Sequence, residues 1–336
     1  MPVTLEPRRQ RLAGRSGAAA VARDALVIGL VNNMPDPALE ATEAQFLGLL
    51  EAAASVRPLQ VRLSSLPELP RASEALARVR QAYWPFEELL HDGVDALIVT
   101  GTEPRAPKLR DEPYWPRLAA LLAWAQDHTA GSIWSCLAAH AAVLELDGID
   151  RRRLAEKRSG VYAHDILAEH PLLAGVEAPM HMPHSRWNEL PAAQLREAGY
   201  TLLSWSAETG VDAFVRHRGS PLLFFQGHPE YQATTLLREY RRDVGRFLSR
   251  QHAQYPNMPA GTFTAEERAI LEAFREEAMV NPDIELLERF PFAAIAGGLR
   301  EPWRSPAISI YRNWLSLIAS ARPAGREVLP PSLSPS

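Results

Sequence analysis

The chain has 336 residues, of which 46% are hydrophobic and 23% charged, and a formal net charge of −4. It is long enough to bury a substantial core, has the composition of an ordinary globular protein, and carries no global charge that would draw it to nucleic acid or an anionic membrane. Its single cysteine, Cys136, excludes an intramolecular disulfide and any paired-cysteine metal or redox site. The opening Met1-Pro2-Val3-Thr4-Leu5-Glu6 lacks the basic-then-apolar pattern of a secretory signal. Apolar runs such as 25–31 are too short to span a bilayer, so the cytoplasm is the default location.

Residues 1–24 are rich in Arg, Gly and Ala, show no convincing period, and read as a flexible N-terminal arm. The run 25–31 is apolar and β-branched, a candidate buried strand, and is broken by Asn32-Asn33-Met34-Pro35-Asp36-Pro37. A helical pattern follows from Ala38, with Leu39, Thr42, Phe46, Leu49 and Leu50 on one face. The scheme repeats: strands at 59–63, 95–100 and 132–135 alternate with helices at 72–82, 114–128 and 137–146. Such alternation predicts an α/β fold, a mainly parallel sheet flanked by helices. Further on, 201–205, 212–217 and 221–225 read as strands at hairpin-like spacing. Helices are expected at 234–248, 266–279 and 307–319, the last two as extra C-terminal helices able to pack back onto the sheet. One domain thus spans 25–320, and a Pro/Ser-rich tail at 321–336 is expected to be disordered.

Cys136 stands where the strand 132–135 meets the helix-forming Leu137-Ala138-Ala139-His140. A sharp strand-to-helix turn exposes a nucleophile above the sheet, and the free N–H groups at the helix start favour a thiolate. The Leu137 N–H can also face an oxyanion on an acyl group bound to sulfur. A lone cysteine is most often a small buried hydrophobe, so a catalytic reading needs a base. Phe224-Phe225-Gln226-Gly227-His228-Pro229-Glu230 supplies one: an apolar strand ends in Gly, His follows at once, and a carboxylate stands two residues on. His228 can take the thiol proton, and Glu230 can hold the ring's tautomer and stabilise its cation. The alternative is a surface-loop histidine beside an unrelated glutamate. His140, His164 and His170 lack a strand-end setting and read as structural or solvated.

A strand–Cys–helix segment followed some ninety residues later by Gly-His-Pro-Glu resembles the class I glutamine amidotransferase fold. Asn32-Asn33-Met34-Pro35 with Glu40-Ala41-Thr42-Glu43-Ala44-Gln45-Phe46-Leu47 resembles the opening of the homoserine O-succinyltransferase family. So do Val99-Thr100-Gly101, Tyr114-Trp115-Pro116, Glu156-Lys157 with Ser159-Gly160-Val161-Tyr162, Pro183-His184-Ser185-Arg186, Gly227-His228-Pro229-Glu230-Tyr231, Arg242-Asp243-Val244 and Asn313-Trp314-Leu315, all in the family's order. The resemblance implies transfer of a succinyl group from succinyl-CoA, or an acetyl group from acetyl-CoA, to the hydroxyl of L-homoserine. The reaction would pass through a thioester on Cys136, with no permanently bound cofactor and no metal. Lys157, Ser185 and Arg242 match substrate-contacting positions, and Arg242 is suited to a bidentate grip on a carboxylate. Leu137 and Thr102 are the candidate oxyanion-hole residues, and a homodimer is the expected assembly.

The chain departs from the family pattern at Gly101-Thr102-Glu103-Pro104, where Gly-Ala-Pro is common, and at Arg105, in a position implicated with Ser185 in the choice of acyl donor. A guanidinium there could pair with the terminal carboxylate of a succinyl group or with a coenzyme A phosphate. Other readings are an L-serine acceptor, a glutaminase or peptidase on the same scaffold, and a non-catalytic relative. Against the hydrolase, Trp134 and Ala138 stand where a Gly-x-Cys-x-Gly elbow has glycines; against the last, Cys136, His228 and Glu230 are all present.

Overall fold

The computed structural model describes residues 1–6 and 24–321. Its larger sheet has eight strands in the order β1 (Val3–Leu5), β3 (Leu59–Ser64), β2 (Leu26–Val31), β4 (Ala96–Val99), β5 (Ser132–Ser135), β12 (Ser220–Phe225), β11 (Ala213–Arg218) and β8 (Thr201–Leu202). The first six run parallel, and β11 and β8 extend the sheet in antiparallel fashion. Parallel neighbours need crossovers, which from β2 through β5 are helices. Asp36–Ala53 links β2 to β3, Ser73–Ala82 and Phe86–Asp92 link β3 to β4, and Trp115–His128 links β4 to β5. This is the mainly parallel α/β architecture that the alternating pattern predicts.

Side chains of successive strand residues point to opposite faces. Val31, Val99, Trp134 and Phe224 face one core, shared with helices Trp115–His128 and Leu137–Asp147. Leu30, Ile98, Ile133 and Phe225 face the other, covered by helices Asp36–Ala53 and Arg304–Ala321. The helix expected at 266–279 is Ala265–Val280, started by a reciprocal Thr264–Glu267 capping box. It packs not on the sheet but against helix Thr235–Leu248, through Leu237, Val244, Leu271 and Phe274.

A second sheet of four antiparallel strands lay outside the sequence expectations. Its order is β10 (Gly210–Val211), β9 (Ser204–Ser206), β6 (Arg152–Ile166) and β7 (Met180–Glu189). The first half of β6 is largely exposed and charged, so no alternation marks it as a strand; pairing with β7 does that work. The strand expected at 201–205 divides, with Thr201–Leu202 in the large sheet and Ser204–Ser206 in the small one. The expected flexible arm is also corrected at its start. Val3–Leu5 pairs with β3, the Glu6 carboxylate accepts from Arg62 Nε at 2.8 Å, and the Glu6 carbonyl accepts from Trp84 Nε1 at 2.6 Å. Three residues are too few to show a period. The rest of the arm, 7–23, and the tail from 322 lie outside the described residues. No described helix is long and apolar enough to cross a membrane.

Arg62 is 8% exposed, so Glu6→Ala should leave a buried guanidinium without its carboxylate. We expect a loss of about 1–3 kcal/mol, read as a lower urea midpoint. An unchanged midpoint would mean that the first strand is not docked in solution.

Candidate active site

Cys136 follows β5 directly and opens helix Leu137–Asp147 with φ 53° and ψ −114°, a left-handed conformation rare for a residue with a side chain. The turn is held from both sides: Cys136 N donates to Phe225 O at 2.8 Å, and Cys136 O accepts from His140 N at 3.2 Å. The Leu137 N–H, at the first helical position, has no intrahelical acceptor. Gly101, just past β4, packs over it so closely that a Cβ there would lie 2.9 Å from the Leu137 nitrogen. Glycine at 101 keeps that N–H open to a ligand. Thr102 is next in the chain and half-buried.

β12 lies beside β5, with Phe225 opposite Ser135, so His228 rises from the adjacent strand end. His228 Nδ1 lies 2.9 Å from Glu230 Oε1. With Nδ1–H committed to that carboxylate, Nε2 is the nitrogen left to exchange a proton, and Cys136 is among the groups that act on the ring. Burial acts against the charged ring, but Glu230 and Cys136 outweigh it and hold the ring's pKa well above the usual histidine value. Tyr231 stacks on the imidazole, with ring centroids 4.2 Å apart, and fixes its plane. The structure thus brings together the three residues on which the sequence reading rested, Cys136, His228 and Glu230.

Lys157 and Arg242 also meet, through Asp243. Lys157 Nζ donates to Asp243 Oδ2 at 2.7 Å, and Arg242 Nε donates to Asp243 Oδ1 at 3.0 Å. Arg242 remains 48% exposed, and its Nη1 has no partner among the described residues. Beside them Glu239 accepts from Tyr231 O–H at 2.8 Å, while its Oε2 is buried without a hydrogen bond. Tyr231 and Glu239 therefore join the base to the Lys157–Asp243–Arg242 cluster. Their signal was available: Glu239 stands three residues before Arg242 on one helix, which puts both on one face. Ser185 is half-buried on β7, on the side of the strand occupied by Pro183, whose carbonyl accepts from His228 N at 2.9 Å. Arg105 is exposed and its charge acts on Asp36, while its backbone N–H is held by Glu112 Oε1 at 2.5 Å.

Behind the base lies a buried polar cluster. Among the described residues, His164, His184 and Asp212 alone have ligand-like spacing for a metal. The donor set does not fit one. Arg186 Nε donates to His184 Nδ1 at 3.2 Å, which places the His184 hydrogen on Nε2 and removes the lone pair a cation would need. That hydrogen points to His164 Nε2 at 3.2 Å, and His164 Nδ1 faces the Tyr162 carbonyl at 3.1 Å. Burial first, then the neighbouring Arg186, hold His184 neutral. His140, with Nε2 3.0 Å from Gln226 Oε1, is likewise kept neutral, its pKa pushed down to about 3 chiefly by burial. Asp212 accepts from Gly227 N at 2.7 Å, next to the base.

The neutral rings predict acid sensitivity. Below about pH 6.5 the unfolded chain protonates His140 and His184 while the native rings stay neutral, so stability is lost as pH falls. The slope is about 1.4 kcal/mol per pH unit for each ring. Urea midpoints at pH 7.5 and 5.5 should show the loss, and His140→Gln should remove its share; an unchanged slope in that variant would refute the assignment.

The sequence profile of the homoserine O-succinyltransferase family matches residues 5–324. The chain is 45% identical over 306 residues to a homoserine O-succinyltransferase of Rhodopseudomonas palustris, covering 91% of each. It is 46% identical over 298 residues to one of Bradyrhizobium japonicum, covering 88% of this chain and 90% of the relative. Among solved structures, a glutamine amidotransferase from Thermotoga maritima aligns over 88% of this chain and 99% of its own, at 10% identity and a TM-score of 0.48. A glutamine amidotransferase from Methylobacillus flagellatus aligns over 88% and 95%, at 18% identity and a TM-score of 0.48. Profile match and sequence identity over nearly the whole length place this chain in the homoserine O-succinyltransferase family, a family of transferases.

Proposed function

We propose that the protein moves a succinyl group from succinyl-CoA to the hydroxyl of L-homoserine, as a step toward methionine, through a thioester on Cys136. The observation that carries this reading is the Cys136–His228–Glu230 array at a strained strand-to-helix turn. The Cys136 sulfur attacks the donor thioester carbonyl. As its C–S bond forms and the bond to coenzyme A breaks, the departing thiolate takes the proton held on His228 Nε2. Homoserine then enters, His228 takes its hydroxyl proton, and the alkoxide attacks the acyl-cysteine. The ester forms and Cys136 is released as thiolate. In both steps the Leu137 N–H supports the oxyanion, with Thr102 beside it. The free edge of Arg242 suits the acceptor's carboxylate, and Glu239 Oε2, which accepts no hydrogen bond and lies 4.0 Å from Lys157 Nζ, suits its ammonium group; Lys157 holds Asp243, and with it Arg242, in place. Thioester exchange onto sulfur is nearly isoenergetic, so one base serves both halves.

Incubation with succinyl-CoA alone should add one succinyl group, located at Cys136 by intact mass and peptide mapping. Cys136→Ser should fold yet lose nearly all turnover, and turnover that survives in it would establish direct transfer instead. His228→Ala should slow both half-reactions by about 10²–10⁴-fold. Glu230→Gln should retain part of the rate, because that side chain orients the ring without carrying the proton; a full kcat with an unchanged pH profile would remove it from the array.

Arg242→Lys keeps the charge and loses the planar fork. KM for homoserine should rise while the rate of Cys136 acylation stays near wild type. Equal loss in acylation would move Arg242 to the donor side.

A further inference from the structure

Cys136 acts on a cation that neither half-reaction uses. Arg151 immediately precedes β6, is half-buried, and makes no ion pair among the described residues. The ionisable groups acting on it are, in order of strength, Tyr114, Cys136, Arg153 and Glu112. Tyr114 is only 5% exposed, and its hydroxyl has no hydrogen-bond partner. It belongs to the same apolar core as Leu137 and Ile149, and Glu112 and Arg151 are the charged groups that act on it. Glu112 would be the natural counter-ion, but its Oε1 already accepts from the backbone N–H groups of Arg105 and Ala106, at 2.5 and 2.7 Å. An unpaired guanidinium and an unpaired buried hydroxyl therefore share one neighbourhood beside the reactive sulfur.

We propose that Arg151 and Tyr114 form the subsite for the terminal carboxylate of the succinyl group while it is carried on Cys136. The inference rests on the acyl-enzyme reading above. A buried polar group is ordinarily hydrogen-bonded, and the unpartnered Tyr114 hydroxyl, acted on by a half-buried guanidinium without an ion pair among the described residues, marks a position completed by a ligand. A succinyl thioester has a carboxylate at the far end of its short chain, which is the partner that a guanidinium and a phenol can satisfy together. An acetyl group has nothing to offer them. Arg105, the residue that the sequence puts forward for this role, is exposed and acts on Asp36.

The test compares rates of Cys136 acylation, followed by intact mass, with succinyl-CoA, acetyl-CoA and butyryl-CoA, the last being a four-carbon donor without the carboxylate. Wild type, Arg151→Gln, Tyr114→Phe and Arg105→Gln are compared. Arg151→Gln should slow succinylation about ten- to hundredfold and leave the two neutral donors near wild type, which also shows that the variant folds. Tyr114→Phe should show the same selectivity with a smaller loss, and Arg105→Gln should keep the wild-type donor ratios. Equal slowing with all three donors in Arg151→Gln, or selective loss of succinylation in Arg105→Gln alone, would overturn the subsite. Absence of any adduct in wild type would instead remove the acyl-enzyme reading on which it rests.

Discussion

Three consecutive backbone N–H groups, those of Gln226, Gly227 and His228, are each tied to a different acceptor. Gln226 N donates to Asp212 O at 3.1 Å, Gly227 N to Asp212 Oδ1 at 2.7 Å, and His228 N to Pro183 O at 2.9 Å. Asp212 lies at the junction of β10 and β11, and Pro183 belongs to β7, so this turn is where the two sheets are joined. A Cβ at 227 would come within 2.6 Å of Met182 and 2.8 Å of the Asp212 carboxylate, so only glycine permits the approach. The base is thereby placed by the backbone before any side-chain contact is counted. The small sheet is no appendage: without β7 the His228 N–H would be unpaired, and without Asp212 the turn would lose its clamp.

Charge is distributed in accord with that arrangement. His228, with Glu230 on Nδ1 and Cys136 acting on the ring, is held toward its cationic form. His140 and His184 behind it are kept neutral chiefly by burial, and Arg186, 3% exposed, is satisfied by His184, Asn188 and Thr209 and not by a direct carboxylate contact. Asp212, fully buried, offsets that guanidinium from a distance. Away from His228, Asp243 is shared by Lys157 and Arg242, so that neither cation rests on Glu230. Segregating the two sets leaves Glu230 free to act on the imidazole alone.

Much of this was legible in the residues. Alternating apolar runs and helical patterns located the parallel sheet, and the strand-end positions of Cys136 and His228 located the site, because both signals are local in sequence. What escaped depends on distant pairing. The β6–β7 hairpin is built on a charged, exposed strand whose partner supplies its regularity. Asp212 looks like an ordinary charge at a strand start until the fold brings its carboxylate to the Gly227 N–H beside His228. Several motif residues turn out to be architectural. Glu43 accepts from Tyr83 and Arg78, Gln45 donates to Thr235, and Asn33 ties Thr100 to Leu66, so they hold the sheet edge together without touching the chemistry.

The burial of the base bears on why such a site would transfer an acyl group in preference to hydrolysing it. His228 and Glu230 are 7% and 4% exposed, Nδ1 is occupied by Glu230, and one ring face is covered by Tyr231. Nε2 alone remains to exchange a proton, and it faces Cys136. On the acyl-enzyme reading, the leaving thiol and the incoming hydroxyl must therefore occupy the same position in turn. A water molecule there would gain the base but none of the contacts that Arg242 and Glu239 offer an amino acid. A bound acceptor gains both and displaces water from the one place where it could react. On that reading, a single proton-exchange position makes the two half-reactions mutually exclusive in time and gives the acceptor its advantage over solvent.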